Sequence, residues 1–167
     1  LSIASSYKDA DGGIRPMDDQ TRERILGLVE KYSIKGMRIL GVGCKRVPAG
    51  KTEFAVEDEF DSVFIGIIVF IDPVKPSAKE AITDMLDYGI RVKVLTGDNK
   101  YVTRFVCDQL GISVEEIVTG YDLDKMSDDE VSEAVERVDV FSNLTPKQKN
   151  RVVLALRVNK HTVGHMG

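Results

Sequence analysis

Tryptophan is absent, cysteine occurs twice and proline five times in 167 residues, and the 23 lysines and arginines are fewer than the 27 aspartates and glutamates. The two cysteines, Cys44 and Cys107, lie far apart, form no CxxC and have no histidine at ligand spacing. A disulfide framework or zinc ribbon is excluded, and two free thiols of a cytosolic protein are expected. A net charge of −4 lacks the basic excess with which nucleic-acid binders neutralise phosphates. The longest apolar run, Val63 to Ile71, falls far short of the about 20 residues that span a bilayer. The N-terminus, LSIASSYKDADGG, has no basic start, no long apolar centre and no initiating methionine. A signal peptide is therefore not expected, and a piece of a longer protein is. What is there is 43% hydrophobic and 30% charged, an ordinary globular balance. The length suits one domain, or two small ones, burying roughly two-thirds of the unfolded surface.

The pattern changes character near Pro73. Before it, Ile25, Leu28, Val29 and Tyr32 recur at helical spacing within Met17 to Ile34, with Asp18 and Asp19 at the start and Gly36 as the stop. MRILGVGCKRV (37–47) and VFIGIIVFI (63–71) are rich in β-branched residues and predict strands, joined by a polar acidic loop. A helix followed by two strands implies an α+β piece. After Pro73 the spacing predicts alternation: helices over 76–88, 99–110, 127–138 and 146–158, and strands over 90–95, 116–119, 138–142 and 161–166. Strands joined by crossover helices imply a parallel, Rossmann-like sheet with helices on both faces.

In such sheets ligands bind beyond the carboxyl ends of the strands. Two places there carry suitable chemistry. In VKVLTGD (92–98) a buried strand delivers Thr96, whose hydroxyl and N–H suit a phosphoryl oxygen; Gly97 permits close backbone approach, and Asp98 or Asn99 caps the next helix, whose N-terminus favours an anion. The same residues also fit an ordinary strand-to-helix turn. In LTPKQKNR (144–151) Thr145 is an N-cap and Pro146 suits the first helical position, which puts Lys149 in the first turn. A cation there opposes the helix dipole and invites a phosphate, although Lys147, Lys149 and Arg151 also fit a solvated face.

Taken together, VLTGD, FSNLTPKQK and HTVGHMG, in that order, resemble the phosphorylation domain of a P-type ATPase, a haloacid-dehalogenase-like fold. IDPVK (71–75) resembles the DPP-K/R hinge between nucleotide-binding and phosphorylation domains in that family. The similarity runs over essentially the whole chain, and GGIRPM, KGMRILGVGCKRVP, GIIVFIDPVK, VKVLTGDN and LTPKQKNRVVLAL together look most like the bacterial magnesium-transporting branch. The resemblance implies that residues 1–72 are the C-terminal part of a nucleotide-binding domain, an α+β remnant. It implies that 73–167 are part of a phosphorylation domain with a haloacid-dehalogenase-type parallel sheet.

The resemblance also assigns roles. Thr96 matches the threonine that hydrogen-bonds the transferred phosphoryl group, Gly97 lines its approach, and Asp98 supports the nucleotide end of the site. Lys149 matches the lysine that neutralises phosphate and the nucleophilic aspartate. Arg38 matches the arginine that reaches ATP phosphates, and Asp72 and Lys75 match the hinge pair. ATP and Mg²⁺ are the implied cofactors, with the metal ligands largely outside the chain and no metal site within it. The phosphorylated aspartate, in a DKTGT segment, is expected upstream, and the magnesium-binding GDGIND segment after Gly167. Asn143 stands where relatives usually carry Lys or Arg, and Val74 replaces the hinge's second proline.

The implied parent is an ATP-driven cation pump of the bacterial inner membrane, with this segment cytoplasmic, soluble and inactive by itself. Its partners are ATP and the rest of the pump, with no nucleic acid. A sheet edge at 37–47 and 63–71, stripped of neighbouring strands, favours self-association. Two alternatives stay open. Asp122-Leu123-Asp124 mimics the Asp-x-Asp nucleophile of a free-standing dehalogenase-like phosphatase, and the chain also suits a non-catalytic nucleotide-binding module. His161 and His165 are read as strand residues, since a metal site needs three or four ligands.

Overall fold

The β-branched runs of the first half pair as the spacing predicts. In the computed structural model, which describes residues 1–165, β3 (Met37–Cys44) runs antiparallel to β4 (Ser62–Ile71), with Arg38 opposite Phe70 and a bulge between Val42 and Gly43. The polar loop between them carries only a short 3₁₀ turn, Val56–Glu59. The N-terminal segment, for which periodicity offers no element, forms a hairpin of β1 (Ala4–Lys8) and β2 (Ile14–Pro16). Asp9 shapes its turn, accepting from the Gly13 N–H at 2.7 Å and from Arg15 Nε at 2.6 Å. β1 then joins β4 in parallel, so the sheet order is β2-β1-β4-β3.

Helix α1 (Asp19–Ser33) starts at Asp18, whose carboxylate accepts from the Thr21 N–H at 2.7 Å. Gly36, at φ 74°, turns the chain into β3. The helix buries a narrow stripe in which Ile25 is buried and Val29 and Tyr32 are half-buried. Leu28, one step off that stripe, remains 41% exposed. β1 covers only Ser62–Phe64 of β4. Among the described residues, the rest of β4 on that side and the outer edge of β3 have no strand partner. Ile65, Ile68, Val69, Phe70 and Ile71 are all exposed. These strands and α1 make one compact unit, Leu1–Asp72, and a second runs from Pro73 onward.

In the second unit, the elements in order are α2 (Pro76–Asp87), β5 (Val94–Leu95), α3 (Lys100–Leu110), β6 (Ile117–Thr119), α4 (Gly120–Leu123), α5 (Asp128–Arg137), β7 (Val140–Ser142) and α6 (Pro146–Val158). The strands form a parallel sheet in the order β5-β7-β6. The β5-to-β6 connection crosses the sheet one way and the β6-to-β7 connection returns. Right-handed crossovers therefore put α3 and α5 on opposite faces. On the α5 face Val118, Phe141, Val131, Val135, Val152 and Leu156 form the core, each large side chain contributing about 1.5–3 kcal/mol. Alternation sends Val140 and Ser142 to the other face, where both are fully buried. The unit is thus a mixed α/β layer structure.

Two expected strands come out differently. Of residues 90–95 only Val94 and Leu95 pair, because their partner β7 begins at Val140, opposite Val94, and ahead of it Arg91 and Lys93 meet the end of α5. Arg91 donates to the Glu136 carbonyl at 2.6 Å and Lys93 to the Val138 carbonyl at 2.8 Å, and both reach Asp139 Oδ1 at 2.7 Å. The predicted final strand does not form over 161–165. There His161 turns aside, its Nε2 lying 2.9 Å from the Glu136 carboxylate. The remainder of that predicted strand lies outside the described residues.

Asp139 therefore ties the amino ends of β5 and β7 together. Partial burial raises its pKa, but the hydrogen bonds from Arg91 and Lys93 outweigh this, and the carboxyl titrates below its ordinary value. A depressed native pKa stabilises the fold above the unfolded-state value of about 4 and loses that contribution as pH falls through the native value. Asp139→Asn should cost about 1–2 kcal/mol at neutral pH, measured by urea unfolding. Parent and variant should converge in acid.

Candidate functional site

The carboxyl end of the parallel sheet is built by two turns laid against each other. β5 runs into Thr96, whose N–H donates to the Phe141 carbonyl at 3.0 Å. Beyond the strand, the Leu144 N–H donates to the Thr96 carbonyl at 3.0 Å and the Asn143 N–H to the Asp98 carbonyl at 2.8 Å. The 96–98 turn is thus hydrogen-bonded directly to the segment that enters α6. Asn143 accomplishes this at φ 54°, a left-handed conformation that asparagine tolerates better than most residues. That gives a backbone reason for asparagine where the resemblance expects Lys or Arg.

Thr96 is half-buried, and its Oγ1 accepts from the Asp98 N–H at 3.1 Å and donates to Asp98 Oδ2 at 3.2 Å. Asn99, not Asp98, caps α3, accepting from the N–H groups of Tyr101 and Val102, each at 3.0 Å. Gly97 has no positive φ, and a Cβ there would lie 3.5 Å from the Leu144 carbonyl, an ordinary contact. Its small size opens the backbone rather than relieving a clash. Across the rim, Thr145 caps α6 in a capping box with Gln148, and Pro146 takes the first helical position. Lys149 sits half-buried in that first turn and has no ion-pair partner among the described residues.

The sheet rim also holds contacts that motif reading does not reveal. Gly120 opens α4 so close to the α6 entry that a Cβ would meet the Asn143 carbonyl at 2.5 Å and Gln148 Oε1 at 2.7 Å. Gln148 Nε2 donates to the Gly120 carbonyl at 2.9 Å and to Asp124 Oδ1 at 2.8 Å. Arg151, one turn on, donates to the carbonyls of Leu123 at 2.6 Å and Met126 at 2.7 Å. The T-x-x-Q pattern at Thr145 was the one readable signal, and it announces a cap, not the cross-contact.

Asp122, the phosphatase nucleophile of the alternative reading, is committed elsewhere. Its Oδ2 accepts from the Thr119 hydroxyl at 2.6 Å and N–H at 2.9 Å. The Thr119 donors, helped by Lys125 and Lys100, hold it below its ordinary pKa. A capping carboxylate so engaged is a poor nucleophile. Asp124 receives Gln148, so the Asp-x-Asp pair is structural. Among the described residues there is no group of three His, Cys, Asp or Glu placed to hold a metal.

Of the remaining predicted residues, Arg38 and Asp72 belong to the first unit and Lys75 to the second. Arg38, on β3, donates to Asp72 Oδ2 at 3.5 Å, an ion pair of two exposed groups that contributes little stability. It leaves both side chains accessible. Lys75 is exposed at the N-cap position of α2 and makes no capping bond.

A family model described as P-type ATPase, cytoplasmic domain N, matches residues 1–77. The chain is 37% identical over 169 aligned residues, all of its own length and 18% of the relative's, to a magnesium-transporting ATPase, P-type 1, of Salmonella typhimurium. It is 36% identical over 167 residues to the protein of that name in Escherichia coli K12, again over 18% of it. A calcium-transporting ATPase of Listeria monocytogenes is 32% identical over 90% of this chain. The chain thus spans about a fifth of the length of the curated relatives it matches, and its resemblance to a P-type ATPase segment is borne out. Among the described residues no helix is long and apolar enough to cross a membrane.

The rim geometry makes the two glycines separable. Gly120→Ala should cost about 1–3 kcal/mol by overpacking against backbone, whereas Gly97→Ala should stay within about 0.5 kcal/mol. Equilibrium unfolding monitored by circular dichroism checks both.

Proposed function

We propose that this chain, which resembles a segment of P-type ATPase sequence, is a cytoplasmic fragment of an ATP-driven cation pump that works through an aspartyl-phosphate. Residues 1–72 serve as the C-terminal part of the nucleotide-binding domain and 73–167 as part of a haloacid-dehalogenase-type phosphorylation domain, with Asp72 and Lys75 at the hinge. The observation that supports this most directly is the hydrogen-bonded pairing of the Thr96 turn with the entry to α6. That pairing would bring a hydroxyl, open backbone and a lysine to the edge where parallel sheets bind ligands.

In phosphoryl transfer the protein chiefly positions groups and stabilises charge. Thr96 Oγ1 would donate to a phosphoryl oxygen, exchanging its present partner Asp98 for the ligand, while Gly97 leaves room for approach. Lys149 would neutralise the phosphate and the nucleophile beside it. Arg38, on β3 with its side chain half exposed, would reach the ATP phosphates and trade its weak pairing with Asp72 for a charge-assisted contact. Mg²⁺ would supply charge neutralisation, held largely by residues outside this chain. Magnesium is the transported ion we favour, on the names of the first relatives; the calcium pumps among them keep calcium as the competing cargo. The parent belongs in the bacterial inner membrane, with this segment on the cytoplasmic side.

The chain alone should neither hydrolyse ATP nor take covalent label from γ-labelled ATP, and Arg38→Ala should weaken ATP binding about five- to tenfold. Calorimetric titration and phosphoprotein labelling test this. A burst of label on the isolated chain would contradict it.

The uncovered edge of β3 and the apolar second half of β4 also favour self-association of the isolated chain. Light scattering should show an apparent mass that rises with concentration, and Leu40→Lys, a charge on the edge strand, should suppress the rise. A constant monomer mass at high concentration would count against it.

A further inference from the structure

Gln148 spends every polar atom of its side chain, and it does so in two directions. Its Oε1 accepts from the Thr145 N–H at 2.8 Å and hydroxyl at 3.0 Å, closing the capping box of its own helix. Its Nε2 leaves the helix altogether, donating to the Gly120 carbonyl and to Asp124 Oδ1. Glutamate caps as well as glutamine, so capping alone does not require an amide. Only the outward bonds to two acceptors do.

The Gly120 side of this contact is equally specific. With no positive φ there, a glycine is required for space: its hydrogen faces the Asn143 carbonyl and Gln148 Oε1, where a methyl group does not fit. The Asn143 backbone is therefore held from two sides, its N–H by the Asp98 carbonyl and its carbonyl face by Gly120. Arg151 adds a second strut from α6 to the end of α4.

We infer that Gln148, seated on Gly120 and Asp124, is a positioning residue that fixes the first turn of α6, and with it Lys149, against the Thr96 turn. This rests on the phosphoryl-binding reading of Thr96 and Lys149 given above. Gln148 touches no substrate in this role. It acts through its neighbour, because a helix turn bolted to α4 on one side and spliced to the 96–98 turn on the other cannot rotate its lysine away from the rim.

Gln148→Glu separates the two duties, since it keeps the cap, removes the donor and sets a carboxylate against Asp124. Amide exchange and inorganic phosphate binding, followed through the Thr96 and Gly97 resonances, are read on the whole chain. The variant should exchange about tenfold faster at the Asn143 and Leu144 amides and bind phosphate at least about fivefold more weakly, as expected for losing a charge-assisted bond. The amides of β6 and β7 should keep their protection. Adding Asp124→Asn, which returns a donor to the pair from the opposite side, should restore most of both effects. Unchanged exchange at Asn143 and Leu144, or unchanged phosphate affinity, overturns the inference. Lys149→Met is the separate control: if it binds phosphate as tightly as the parent, the phosphoryl reading of the rim falls, while the exchange result still decides the clamp.

Discussion

The second unit turns on a two-bond splice: the Asn143 and Leu144 amides donate to the carbonyls of Asp98 and Thr96. It joins the turn after β5 to the turn after β7, and everything at the rim is positioned relative to it. The cost is one residue in the left-handed region, Asn143. The gain is that two sequence-distant turns, one carrying the Thr96 hydroxyl and the other leading into the first turn of α6, are joined by backbone hydrogen bonds. Each turn is thereby held by the other's backbone, the Leu144 amide from a buried residue.

The two ends of the parallel sheet divide the work. At the amino end Asp139 gathers Arg91 and Lys93, and these cations also satisfy carbonyls at the end of α5. That end consumes its charge internally and reads as stability. At the carboxyl end, the first turn of α6 carries Lys147, Gln148 and Lys149 after Pro146, against the preference of a helix N-terminus for acids. Placing a cation there does not help the helix. It makes sense when an anion is to be held.

Most helices were legible because each one pairs an apolar stripe with a side-chain cap: Asp18, Asn99, Ser127 and Thr145 all cap as their residue type predicts. Strands were less so. β2 is three exposed residues with no alternation to betray it, and β5 is limited to two residues because its partner β7 begins only at Val140. The choice between Asp98 and Asn99 as cap depended on a one-residue offset that composition does not resolve. Gly120 was illegible for another reason: its need for smallness comes from Asn143 and Gln148, which sequence separates from it and folding brings within contact. The capping box at Thr145 was visible, but Gln148's second, outward pair of bonds was not, since nothing local distinguishes a glutamine that caps from one that also clamps.

The claim that Thr96 and Lys149 share one phosphoryl pocket is tested most directly by crystals soaked in tungstate, a heavy phosphate mimic located by its anomalous signal. The account predicts one strong site with oxygens within about 3 Å of both Thr96 Oγ1 and Lys149 Nζ. Tungstate bound elsewhere, with Thr96 and Lys149 both untouched, would contradict it.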